Sequence, residues 1–454
     1  METVSAAPAE RIADLYRART PRSRELWERG RRVMPQGVTA NLKYFAPYPV
    51  TIEWAEGGRV RDLDRNAYVD LTFGAGPHLL GHRHRAVDAA ARAQLDRVLQ
   101  HLVPTPGEVE LAERLAARYP QLERVRFATT GSEAMRNAIR VARAATGRTL
   151  VGKLEGHYHG SDDVVLHSSK TGHVEGPPDR PQAVPDAAGL SPAARGEVLL
   201  LPWNDAPAAV RLIEERASEL ACVVLEPIGF SSAGAVPTER EFAAAVREVT
   251  ARHGVSLIFD EIVTAHRLGP GGAARYLGVE PDLSAFGKAI GGGFPIAAFG
   301  GRADLMEETL GEPSLTNGKR VFASGTFTAN ALAVAASLAV LDVLEADDPA
   351  PRLDRLAERL RDGLDKRFAA AGIEACAVGG ASISQVHFSA RPPRDRRGIL
   401  AGDLAAQETF LLGMVAEGVL WPPVHSALTC AAHDEADIDR VLDAAERVIA
   451  FMAA

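Results

Sequence analysis

The chain has 454 residues, of which 46% are hydrophobic and 24% charged, and its net charge at neutral pH is -8. This length can bury a large core in two lobes of one unit, and an acidic balance with no basic stripe argues against nucleic acid or an anionic membrane as partner. Cys222, Cys376 and Cys430 are widely spaced and form no Cys-x-x-Cys pair, so neither a disulfide framework nor a zinc site is expected and the compartment reads as cytoplasmic.

In chain order, Met1 to Thr20 alternates charge with alanine and lacks an apolar signal core. Glu25 to Val33 reads as a short helix, stopped by Met34-Pro35-Gln36-Gly37. Asn41-Leu42-Lys43-Tyr44-Phe45 sets one cation beside two aromatics, either to line a pocket for an acid or as a solvated lysine next to core aromatics. Val50 to Trp54, Arg59 to Asp64 and Tyr68 to Leu71 alternate like an antiparallel meander, with turns at Gly57-Gly58 and Arg65-Asn66.

From Glu108 helices alternate with short apolar runs: Val125 to Ala128, Thr149 to Lys153, Val198 to Leu201, Cys222 to Glu226 and Val255 to Asp260. This alternation predicts a parallel sheet covered on both faces, which Phe294 to Phe299 continues. His167 to Arg195, rich in Pro, Gly and Asp, predicts a long loop on the side of the strand ends. Phe327 to Leu344 is an apolar helix, and its longest apolar run is too short to span a bilayer. Amphipathic helices over Arg352 to Ala371, Leu404 to Glu417 and Asp434 to Met452 surround strand candidates Ser382 to Phe388 and Val419 to Trp421, a C-terminal lobe beside the meander. The expected division is a small-domain part at 1–72, a large domain at 73–335 and a C-terminal small domain at 336–454.

The chemistry centres on two neighbouring runs. Val255 to Phe259 ends in Asp260-Glu261, and Leu283 to Phe286 ends in Gly287-Lys288 before Gly291-Gly292-Gly293. As adjacent parallel strands they would bring Asp260 and Lys288 out at one carboxyl edge, where open α/β sheets hold ligands. An amine there can condense with an aldehyde, and the enzyme use of that condensation is a Schiff base to pyridoxal phosphate, with the carboxylate on the pyridine nitrogen. Of the six lysines (Lys43, Lys153, Lys170, Lys288, Lys319 and Lys366) only Lys288 lies between a strand-like run and a glycine-rich turn.

Other strand ends supply the rest. Thr130-Gly131-Ser132 opens a long helix, a credible cup for a phosphate, although the same pattern serves as an ordinary N-cap. Tyr158 could lie flat on a planar cofactor. Glu226 could orient Tyr158, the imine or a hydroxyl, and Thr326 offers a second phosphate donor. His157 and His159 share a His-x-His spacing with His82 and His84, but no cysteine or acidic ligand stands at matching spacing, so no metal is expected.

Together these residues resemble the class III aminotransferases of pyridoxal phosphate fold type I, in the branch of glutamate-1-semialdehyde 2,1-aminomutase. The similarity runs from about Met34 to His433. Its most specific pieces are Thr130-Gly131-Ser132-Glu133-Ala134, Gly156-His157-Tyr158-His159-Gly160, Asp260-Glu261 and Gly287-Lys288-Ala289-Ile290-Gly291-Gly292-Gly293. The resemblance implies an α/β large domain with a mainly parallel sheet covered by helices, and a smaller α+β domain from the two chain ends. It implies that Lys288 carries the cofactor and shuttles the substrate proton, that Asp260 binds the ring nitrogen, that Ile262 backs the ring and that Tyr158 stacks over it. Gly131 and Ser132 would hold the phosphate, with Thr326 from a second subunit of a homodimer.

Three departures bear on the substrate. Lys43 stands where the aminomutase pattern has an arginine, His425 where it has a glutamate, and Gly229-Phe230-Ser231 where it has Gly-Asn. A lysine is a point charge without the planar fork of arginine. These changes favour an aminotransferase of altered specificity, acting on an amino acid or amine and a keto acid or aldehyde. The rival readings are an aminomutase or another isomerase, decarboxylase or cyclase on the same cofactor, and a non-catalytic protein that keeps the fold.

Overall fold

Short aliphatic runs build the central sheet. In the computed structural model, which describes residues 6–423 and 425–453, seven strands lie in the order Arg124–Ala128, Ala297–Gly301, Leu283–Phe286, Ser256–Glu261, Leu220–Leu225, Leu150–Leu154, Val198–Leu201. Met1 to Ser5, the start of the stretch read as lacking a signal core, lie outside those residues. Every residue of Leu220–Leu225 and of Ser256–Glu261 is buried, as befits strands covered on both faces. Leu257 and Phe259 pack with Leu212, Phe242 and Val246 on one face. Ile258 packs with Met135, Ile139 and Phe299 on the other.

The strand Ala297–Gly301 continues the sheet antiparallel to both its neighbours. Its connection explains the direction. The turn at Lys288–Gly291 with Gly292 (φ 57) and Gly293 (φ 108) reverses the chain at once, and a parallel return would need a crossover of a dozen residues or more.

The meander forms as Ile52–Glu56, Arg59–Asp62 and Ala67–Asp70, and Val419–Leu420 adds to it in parallel. A third sheet, Cys376–Gly380, Ile383–His387 and Ala427–Leu428, is antiparallel. Its first strand, half-buried and glycine-ended, gave no apolar signal in the sequence. Around these sheets the helices Ala350–Ala370, Leu404–Ala416 and Glu435–Ala453 close on Leu360, Phe368, Phe410, Trp421 and Val448. Ala6–Arg19 is also helical, burying Ile12 and Tyr16 one turn apart, where the charge alternation had suggested no element. No helix among the described residues is long and apolar enough to cross a membrane.

The loop after His167 is tied down. The Asp186 carboxylate accepts hydrogen bonds from the backbone N–H groups of Ser169, Lys170 and Thr171, and Arg397 donates to the carbonyls of Glu175 and Gly176.

Candidate active site

The strands Ser256–Glu261 and Leu283–Phe286 pair in parallel with Asp260 opposite Ala285, so Asp260 and the turn bearing Lys288 leave the sheet at the same edge. The period of two sends the two carboxylates apart. Asp260 shares the face of Ile258, while Glu261 turns to the face of Phe259 and accepts hydrogen bonds from Ala273 N at 2.7 Å and Gln121 Nε2 at 3.3 Å. Burial pushes the Glu261 carboxyl up to about 8.

Asp260 is buried. Its Oδ2 lies 2.8 Å from His159 Nδ1, and its Oδ1 accepts a hydrogen bond from Ile262 N at 3.1 Å. Burial pushes the His159 pKa below its ordinary value against the pull of Asp260. Sequence reasoning weighed His159 only as a metal ligand and missed this pairing. Among the described residues no group of three or more His, Cys, Asp and Glu is arranged to hold a metal ion.

Lys288 takes a left-handed conformation, φ 46, which costs an ordinary side chain about 1 kcal/mol or more. The ε-amine sits 4.6 Å from the centroid of the Phe230 ring. Burial lowers it to about 8, although Glu226 and Asp260 pull the other way. At neutral pH such an amine is uncharged in about a tenth of molecules, far more often than a solvated lysine. Glu226 is itself buried and raised to about 8, by burial first and by Asp260 second. Its Oε1 accepts from Tyr158 N at 2.8 Å and its Oε2 from Phe230 N at 3.1 Å. It thus fixes the backbone of two loops.

At the other end, Thr130 caps the helix Gly131–Thr146, and its hydroxyl and Glu133 form a reciprocal capping box. The cap occupies the Thr130 hydroxyl. The N–H groups of Gly131 and Ser132 make no hydrogen bond among the described residues, and a helix N-terminus in that state is a receptor for an anion. A methyl on Gly131 would come within 3.0 Å of Ile262 Cγ2, and one on Gly287 within 3.2 Å of Ile262 Cδ1. Ile262 is thereby packed between the phosphate turn and the lysine turn. Gly160 lies so close to Ser132 that a methyl on it would stand 2.7 Å from Ser132 Oγ, which also accepts from Ser161 N at 3.2 Å. The Tyr158 loop leans on the helix start.

The remaining candidates lie further out. Thr326 is exposed, its carbonyl accepting from Gln100 Nε2. Lys43 is exposed, whereas His425 is buried, stacks on Phe230 at 6.3 Å and is lowered to about 4 by burial. Lys43 and His425 line a cleft of about 1070 Å³ with Leu42, Phe45, Val50 and Leu420. The cleft reaches Gly74 and Ala75, next to Gly76, against which Lys288 packs. Arg267, not singled out from sequence, is fully buried and donates to Gly76 O, Thr429 O and Ser382 Oγ at 2.9–3.0 Å, tying that glycine loop to the C-terminal lobe.

An amine poised for condensation, a buried carboxylate braced by histidine, an aromatic beside them and an open helix N-terminus are a donor set that fits pyridoxal phosphate. Comparison with known proteins agrees. The sequence model of the class III aminotransferases matches residues 43–431. A glutamate-1-semialdehyde 2,1-aminomutase from Methanosarcina acetivorans is 34% identical over 425 residues, 93% of this chain and 97% of the other. An omega-transaminase from Sphaerobacter thermophilus has a similar structure, with a TM-score of 0.88 at 33% identity over 95% of this chain and 98% of that one. So does a glutamate-1-semialdehyde aminomutase from Pseudomonas aeruginosa solved with PMP, with a TM-score of 0.88 at 26% identity over 99% and 100%. The chain belongs to the class III aminotransferase family and is an enzyme of fold type I that depends on pyridoxal 5′-phosphate.

Proposed function

We propose that this enzyme transfers an amino group through a Schiff base on Lys288. The observation that carries the reading is the Lys288 amine, lowered to about 8 at the strand end it shares with Asp260. The bound cofactor supplies the aldehyde and an electron-withdrawing ring. Lys288 Nζ would hold it and, as a free amine, would be the base that carries the substrate proton. Asp260, held by His159, would accept the hydrogen bond of the ring nitrogen. Tyr158 and Ile262 would flank the ring, and the open N–H groups of Gly131 and Ser132, beside the cap at Thr130, would receive the phosphate.

Thr326 completes the phosphate site of a second copy in a homodimer. The exposed apolar residues Phe322 and Phe327 beside Thr326, and Leu99, Leu102 and Val103 beside its partner Gln100, support such an interface. The central sheet, built wholly from strands between Arg124 and Gly301, supports a large domain at 73–335, and the pairing of Val419–Leu420 with Ala67–Asp70 supports a small domain shared by 1–72 and 336–454. The free thiols Cys222, Cys376 and Cys430 suit a reducing compartment such as the cytoplasm.

Two reactions share this chemistry. Curated relatives such as the aminomutase at 34% identity favour the intramolecular one, in which the amino group moves within glutamate-1-semialdehyde. The largely apolar cleft lined by Lys43 and His425, with Phe230 stacked on His425, supports intermolecular transfer with a less polar substrate. Absorbance of the loaded enzyme, recorded with a panel of amines and amino acids and no acceptor, separates them. Lasting conversion to the amino form of the cofactor establishes transfer and names the donor class. Isomerisation of the semialdehyde with the lysine-linked band restored and no acceptor consumed establishes the mutase. Absence of any lysine-linked band overturns both.

A further inference from the structure

Lys170 stands where the tied loop crosses the strand ends. Its backbone N–H donates to Asp186 Oδ1 at 2.6 Å, between those of Ser169 and Thr171, which donate to the same oxygen at 2.9 and 3.0 Å. With the backbone so fixed, the half-buried side chain reaches into the crevice. Its Nζ lies 4.7 Å from the centroid of the Tyr158 ring and 3.1 Å from Ser231 Oγ.

What this amine lacks among the described residues is a carboxylate in direct contact. Lys170 forms no ion pair among the described residues; its close partners are a hydroxyl and a ring face. Glu226 is the carboxyl nearest in role, yet both its oxygens serve Tyr158 N and Phe230 N, and burial pushes its pKa up. Asp186 spends its oxygens on the loop backbone. Drawing a cation out of water is costly, and burial pulls the Lys170 pKa down against the weaker upward pull of Glu226 and Asp186, neither of which its ammonium pairs with directly.

The loop does not need the ammonium for its shape. Arg396 donates to Thr171 O at 2.7 Å, and Arg397 to Gly176 O and Glu175 O at 3.0 and 3.1 Å. The cofactor phosphate has its own receptor at Gly131 and Ser132. The oxyanion left to arrive in this crevice is one carried by the substrate.

We propose that Lys170 receives the acid group of the substrate and so selects amino acids and keto acids over amines and aldehydes of the same skeleton. This rests on the proposed amino transfer at Lys288. Ser231 and the Tyr158 ring park the ammonium until the acid arrives, and Lys43, exposed on the arm, is not the main anchor.

The test is calorimetric binding to the cofactor-loaded enzyme of butanoate, hexanoate and 3-phenylpropanoate, each against its amide, for wild type, Lys170→Met and Lys170→Arg. The lysine-linked band confirms loading beforehand, and its absence from wild type would sink the function rather than this assignment. The expected result is that wild type binds at least one acid about tenfold or more tighter than its amide, that Lys170→Met brings the ratio to near one without weakening the amide, and that Lys170→Arg keeps part of it. The assignment is overturned if the ratio survives in Lys170→Met, if acid and amide weaken together, or if wild type prefers no acid.

Discussion

At the carboxyl edge of the central sheet, Asp260, His159, Glu226 and Tyr158 are each held by a partner from another element within 2.8–3.1 Å. On the N-terminal arm, Lys43 and Leu42 are exposed at the rim of a wide cleft. That cleft reaches Gly74 and Ala75, next to the glycine against which Lys288 packs. A polar group buried between two elements cannot slide without leaving a partner unsatisfied, whereas a solvated side chain on a short 3-10 turn can be exchanged at little cost. On the proposed function, the reaction type resides in the sheet edge and substrate preference in the arm.

Lys288→Ala should have the largest effect, since it removes both the attachment of the cofactor and the proton carrier. We expect turnover to fall by at least about 10³-fold, with loss of the lysine-linked absorbance band. Retained turnover would refute the assignment of the sheet edge as the reactive region. Asp260→Asn should follow, at on the order of 10³-fold in turnover, because a preorganised charge facing the ring nitrogen is lost. His159→Gln, which removes one hydrogen bond to a buried charge, should cost about tenfold to a hundredfold, and its effect should vanish in the Asp260→Asn background.

The neighbouring carboxyl gives an internal control. Glu261 has a folded pKa of about 8, raised from 4.5 by burial. Between those values the folded chain keeps a proton that the unfolded chain has released, so this group makes stability fall as pH rises from about 4.5 to about 8 and adds no slope above that. Glu261→Gln should flatten that window by roughly 5 kcal/mol, read by denaturant unfolding at several pH values, while leaving turnover nearly unchanged. A large loss of turnover in a stably folded variant would mean that the two faces of the strand are not divided between chemistry and packing.

Much of this edge was legible because its signals are local. An apolar run ending in Asp260, another ending in Gly287-Lys288, and a Thr-Gly-Ser helix start each declare themselves within a few residues. The Thr130 pattern admitted two readings, and both describe the molecule, since the hydroxyl caps the helix while the next two N–H groups stay open. The direction of Ala297–Gly301 depends on how its connection turns, which residue types alone do not fix. Irregular pairing between Ile52 and Trp54 accompanies a first meander strand that lies two residues beyond its expected position. His159 meets Asp260 across 101 residues and Lys170 meets Ser231 across 61. No spacing rule reaches contacts that the folded loops create.

The smallest effect is expected on the arm. Lys43 is exposed, and an ion pair formed by a solvated lysine is worth about 1 kcal/mol or less. Lys43→Met should therefore raise the KM of an acidic substrate by less than about tenfold, leave kcat unchanged, and leave a neutral amine untouched. Because the stem of Lys43 already borders Leu42, Phe45 and Val50, methionine keeps most of the apolar contact and removes only the charge. A rise in KM of a hundredfold or more would show that the arm closes over the substrate and buries this lysine in the working enzyme. Solvation at Lys43 would then no longer separate the two regions, and the anchoring of the acid would have to be shared between the arm and the strand ends.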